Sequence, residues 1–149
     1  MSYEHILVPT DGSARSRKAV AAALRLAEPL GARITGIYVM GEGVPTAFSG
    51  NRLYGSGVLS PEYRDRAKRE AQAALAEIEK GAAARGISCE VVRRLAREPW
   101  KAILGAARSR RCDLVVMGSR GRGSVKSALL GSQTLKLLSR SKIPVLVCR

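Results

Sequence analysis

The chain has 149 residues, 46% of them hydrophobic, and a net charge of +14. That length suits one domain with a real core, here residues 1–149, and no apolar run approaches the ~20 residues of a membrane helix. A single histidine, His5, and three cysteines without Cys-x-x-Cys spacing exclude an ordinary zinc cluster.

The start, Met1 to His5, shows no basic-then-apolar signal, which points to the cytoplasm. His5 to Pro9 is a short apolar run and reads as a strand buried on both faces, as in a parallel sheet. Thr10-Asp11-Gly12-Ser13 is a turn with Ser13 as helix cap. A helix follows to about Leu30, with Val20, Ala23, Leu24, Ala27 and Leu30 as its apolar stripe and Gly31 as its stop. The second strand is Arg33 to Met40.

Gly41 to Ser60 breaks the pattern with five glycines and Pro45, a long loop for a compact domain. It leaves the second strand on the side of Asp11, so it could cover a ligand. An insertion without a ligand role fits the residues equally. Ser60-Pro61 starts the second helix, whose buried side runs from Tyr63 and Ala67 through Ala71, Ala74, Leu75, Ile78 and Ala82 to a stop at Gly86. Ile87 to Arg93 is the third strand. Glu98-Pro99-Trp100 opens the third helix, which carries Ile103, Leu104 and Ala107. Asp113 to Met117 is the fourth strand. A helical turn over Val125 to Leu130, a helix over Ser132 to Arg140 and a strand over Ile143 to Cys148 complete the chain. Cys89, Cys112 and Cys148 stand in or beside strand-like runs and read as buried reduced thiols.

Strands alternating with helices imply a parallel α/β sheet covered on both faces. Such sheets bind ligands beyond the carboxyl ends of their strands, at the switch point. Chemistry concentrates in Gly118 to Thr134, which reads strand, glycine-rich loop, helix. Glycines let backbone N–H groups approach phosphate oxygens, and the helix start adds its positive end. Gly118 and Gly121 would line the phosphates together with Ser119, and Gly131, Ser132 and Gln133 would close the loop. Thr134 would offer a hydroxyl to a terminal phosphate or a metal. Arg120, Arg122 and Lys126 add positive charge. The loop is not a Walker A motif, because Ser124 and Val125 follow Gly123 where lysine and a hydroxyl are required. It is not a dinucleotide fingerprint either, because Lys126 stands where a third glycine should.

Gly118-x-x-Gly121, nine residues, then Gly131-Ser132 resembles the nucleotide-binding motif of the universal stress protein family in its ATP-binding branch. Ile6 to Ser13 resembles that family's first strand and acidic turn, and Ile143 to Val147 its last strand. The likeness covers nearly the whole chain. It implies a Rossmann-like, adenine nucleotide alpha hydrolase-like fold with strand order 3-2-1-4-5, so that Thr10–Ser13 and Gly118–Gly121 face each other. It implies ATP or another adenine nucleotide as ligand, with the backbone of Val39 at the adenine edge and Pro9 and Met117 near the base. Asp11 would accept from ribose or adenine, or help hold Mg²⁺ through water; its plain alternative is capping the first helix. Arg120 departs from the family pattern, where histidine is frequent. The resemblance also implies a homodimer through Ile143–Cys148.

Asp11 is the only carboxylate near the motif, and His5 sits at the other end of its strand. No Ser/His/Asp set can form, so the expected function is a stress-response sensor or regulator with slow ATP hydrolysis at most. A slow Mg-dependent ATPase on the same fold is the alternative. Residues 93 to 149 hold fourteen basic residues against two acids, whereas the first 92 hold twelve against ten. That imbalance suggests nucleic acid. The scarcity of aromatics favours a solvated face that steers phosphate toward the loop instead.

Overall fold

The computed structural model describes residues 2–41, 61–121 and 129–149. The 41–60 loop beyond Gly41, Arg122, Lys126 and most of the 125–130 turn lie outside them.

Each central strand divides its side chains between two cores. In β1 (His5–Pro9), Ile6 and Val8 point one way and Leu7 the other. The first core adds Ile34 of β2 (Arg33–Gly41) and the small faces of α1 (Ala14–Leu30) and α2 (Pro61–Ala84). The second adds Ile37, Val92 of β3 (Cys89–Ala96) and Val115 of β4 (Leu114–Gly118). It is covered by α3 (Pro99–Ser109) and α4 (Ser132–Arg140). With β5 (Val145–Cys148) the sheet is parallel throughout, in the order β3-β2-β1-β4-β5. The expected strand order and two-sided helix cover are both present.

The helix boundaries have local causes. Ser13 caps α1, its hydroxyl accepting from Ser16 N–H. Gly31, at φ 65°, ends α1 in the left-handed conformation. The α2 helix packs close on β2: a Cβ at Gly36 would stand 2.8 Å from Ile78 Cδ1. Ile78 is fully buried there, worth about 1.5–3 kcal/mol relative to exposure.

One residue's burial and three strand boundaries differ from the sequence reading. Leu30, the last residue of α1, is 37% exposed, whereas Ala19 joins the buried stripe. Strand β3 spans Cys89–Ala96 rather than Ile87 to Arg93. It is the sheet's edge, so Arg93, Arg94 and Leu95 stay exposed while pairing with β2. Asp113 precedes β4 because its carboxylate turns back to accept from Glu4 N–H and His5 N–H. Strand β5 starts at Val145, two residues later than expected. Of the three thiols only Cys112 is buried; Cys89 and Cys148 are half-buried, and all three are unpaired.

Candidate functional site

The ladder between β1 and β4 pairs Ile6 with Leu114 and Leu7 with Val115, and no pair of these strands follows among the described residues. Beyond that point each strand stays with its other neighbour. Pro9 pairs with Ile37, and Thr10 N–H donates to Ile37 C=O at 2.9 Å. On the other side Gly118 pairs with Cys148, and Ser119 N–H donates to Cys148 C=O at 2.7 Å. The sheet therefore splits at its carboxyl edge between β1 and β4, where the strand order reverses.

The first turn fills one side of the split. Asp11 Oδ1 accepts from Ser13 N–H at 2.9 Å and Thr10 Oγ1 from Gly12 N–H at 3.2 Å. Asp11 thus shapes the turn before α1, while Ser13 provides the cap. Gly12 has φ 78°, which glycine tolerates. Thr10 is buried, its hydroxyl donating to Ser16 Oγ.

The second turn meets it. A Cβ at Gly121 would stand 2.6 Å from Asp11 Oδ2, and one at Gly118 would stand 3.2 Å from the Arg15 backbone. Both glycines are needed for close approach. Gly131 N–H donates to Ser119 C=O at 2.7 Å, which brings the start of α4 back to the end of β4. A Cβ at Gly131 would lie 3.2 Å from Arg120 Cα. Among the described residues no side chain caps α4, whose N-cap is Gly131. Its first-turn N–H donors and dipole make that end favourable for an anion.

Two of the expected site side chains have partners within the fold. Thr134 is 3% exposed, and its hydroxyl donates to Gly118 C=O at 3.1 Å. Its proton serves the turn. The Gln133 side chain accepts from Trp100 N–H at 3.2 Å, capping α3, whose own N-cap Glu98 makes no such bond. Ser132 is exposed, while Pro9, Val39 and Arg120 are half-buried. Ser119 is buried, and Met117 belongs to the α3–α4 core. Arg122 lies outside the described residues.

Val39 is positioned by parity. Arg33 N–H donates toward β1 and Ile34 N–H toward β3, so odd residues of β2 face β1. Val39 lies two residues past the last β1 pair at Ile37, so its backbone polar groups point into the split. Arg15 escaped the sequence reading. Its guanidinium donates to Ser119 Oγ at 3.3 Å, linking α1 to the glycine turn. Its position in the first turn of the helix after β1 was the available signal.

The opposite pole is separate. His5 Nε2 lies 2.7 Å from Thr35 Oγ1, which donates to Glu90 Oε1 at 3.0 Å. Glu90 Oε2 accepts from Arg110 at 2.6 Å. Because Thr35 gives its proton to Glu90, its oxygen accepts from His5, which places the ring proton on Nε2. Burial first, and then Arg33, lower the His5 pKa below 6.5. Bonds from Arg110 and Thr35 lower that of Glu90.

Two glycine turns meeting where the strand order of an open parallel sheet reverses, beside a helix start that no described side chain caps, define a Rossmann-like α/β protein with a crevice suited to an anion. The Universal stress protein family model matches residues 2–149, and the chain belongs to that family. It is 33% identical over 148 residues to the universal stress protein YxiE of Bacillus subtilis, covering 99% of both chains. To a universal stress protein of Thermus aquaticus it is 33% identical over 147 residues, again covering 99% of both. A universal stress protein solved in complex with cAMP is 28% identical, with TM-score 0.67, across 99% of this chain and 97% of that one.

Proposed function

We propose that this chain binds ATP or another adenine nucleotide in the β1–β4 split and acts as a stress-response regulator with little or no catalysis. The observation that carries this reading is the contact between Asp11 and Gly121, because it joins the acidic turn and the glycine turn into one crevice. The uncapped start of α4 and the cAMP complex of a 28% identical relative support it. In this reading the N–H groups of Gly118, Gly121, Ser132 and Gln133 receive the phosphates, and the Val39 backbone meets the adenine edge. Pro9 and Met117 flank the base, and Arg15 and Arg120 supply positive charge. Thr134 positions the loop through Gly118.

Asp11 is the one carboxylate of the two turns, so Mg²⁺ would be held mainly by phosphate oxygens and water. Hydrolysis would be slow for want of a second group to orient water. Three unpaired thiols suit a reducing, cytoplasmic setting. The outer edge of β5, with Leu146 43% exposed, is the proposed homodimer contact.

Calorimetric titration of nucleotide-stripped protein with Mg-ATP tests the reading, with ADP and cAMP in parallel. The parent should bind in the micromolar range. Gly131→Ala should bind far more weakly, because its methyl would press the Arg120 backbone. Absence of parental binding to all three nucleotides would refute the proposal.

A further inference from the structure

We infer that the α3–α4 face docks a double-stranded nucleic acid through its phosphates, independently of the nucleotide crevice. The sheet sorts charge between its two faces. Helices α1 and α2 carry nine basic and six acidic residues; Arg17–Glu77 ties the two helices, Arg66–Glu70 pairs within α2, and Arg85, just past α2, pairs with Glu28 of α1. Helices α3 and α4 carry four basic residues and no acid. The turns that follow them add Arg110, Arg111 and Lys142.

The few carboxylates near this face are already occupied. Glu98 pairs with Lys101 and also feels Lys136. Asp113 accepts from two backbone N–H groups, and Glu90 holds Arg110. Trp100 then gathers like charges. Lys101 Nζ lies 5.4 Å and Arg140 Cζ 5.0 Å from its ring centroid. Lys101, Lys136 and Arg140 are all exposed. Three cations held around one carboxylate and one ring repel one another, and a polyanion relieves that repulsion.

The same ring selects a duplex over a single strand. Single strands are held by bases stacked on open aromatic rings. Trp100 is 8% exposed beneath its cations. The other described aromatics, Tyr3, Tyr38 and Tyr63, belong to the α1–α2 side. What this face offers is charge at fixed positions, which suits phosphates displayed by a rigid double helix and carries no sequence preference.

The test is fluorescence anisotropy of a labelled DNA duplex titrated with the full chain at several NaCl concentrations. Binding at low salt should weaken steeply as salt rises. In Lys101→Gln/Lys136→Gln/Arg140→Gln the slope of log K against log salt should be shallower by about 0.9 per charge removed. Lys18→Gln/Lys80→Gln on the other face should keep the parental slope. Lys136→Gln alone, at an exposed position, should lower the slope by about 0.9, so the inference stands or falls even if the triple variant folds poorly. No binding at low salt, an unchanged slope in the Lys136 variant, equal binding of the single strand, or displacement by Mg-ATP would each overturn it.

Discussion

Asp11 and Gly121 meet across the split in the sheet, with room for no atom between the carboxylate and a side chain at position 121: a Cβ there would stand 2.6 Å from Asp11 Oδ2. The other carboxylate oxygen is held by Ser13 N–H. A methyl at 121 must therefore turn Asp11 out of its own turn or push the glycine loop away. Gly121→Ala should weaken Mg-ATP binding by roughly tenfold or more, about 1.4 kcal/mol. Calorimetry checks this, with a thermal melt close to the parent's.

Thr134 separates positioning from contact. Thr134→Val keeps the shape and removes the hydroxyl that donates to Gly118 C=O. The carbonyl loses that donor at a buried position, so stability should fall by about 1–2 kcal/mol in urea denaturation. Mg-ATP affinity measured on the folded variant should change less than threefold, about 0.6 kcal/mol. A much larger loss would make the hydroxyl a direct ligand of phosphate or metal.

His5 gives stability a pH dependence of definite sign. Its folded pKa lies below the unfolded value of 6.5. Between those two values the unfolded chain binds the proton and the folded chain does not. Stability is therefore complete above 6.5, falls as pH drops through that window, and levels off below the folded pKa. Urea midpoints measured between pH 7.5 and 5 should show the decline, and His5→Gln should flatten it.

The outer edge of β5 offers a test that spares the sheet. Pro144 and Cys148 carbonyls face β4, accepting from Val115 and Ser119 N–H groups. By parity the N–H groups of Val145 and Val147 point outward. Val147→Pro removes one outward donor without touching the β4 ladder. Sedimentation analysis should show a dimer for the parent and a monomer for the variant.

Much of this was legible because burial writes itself into sequence. The β1 and β4 runs are apolar on both faces, as central parallel strands must be. Ser13, Gly31 and Gly86 fixed helix ends through chemistry local to each position. The edge strand was harder. Arg93 read as the end of a strand, yet at a sheet edge the side chains of Arg93 and Arg94 reach water while the backbone still pairs. The site was legible as glycine spacing and one acid. What escaped were contacts between distant segments: Gln133 with Trp100, Thr134 with Gly118 and Arg15 with Ser119. A glutamine or a threonine in a helix's first turn has the same local signature whether it faces a ligand or a neighbouring element. Val39 is a further case, since backbone exposed past a strand's end leaves no side-chain trace.

In the proposed function an adenine nucleotide lies between β1 and β4. Amide NMR of the labelled chain during titration with Mg-ATP tests it most directly. The largest shifts should fall at Asp11, Val39, Gly121, Ser132 and Gln133, with little change at His5 or Arg140. Shifts confined to Lys101 and Arg140, or none at the two glycine turns, would contradict it.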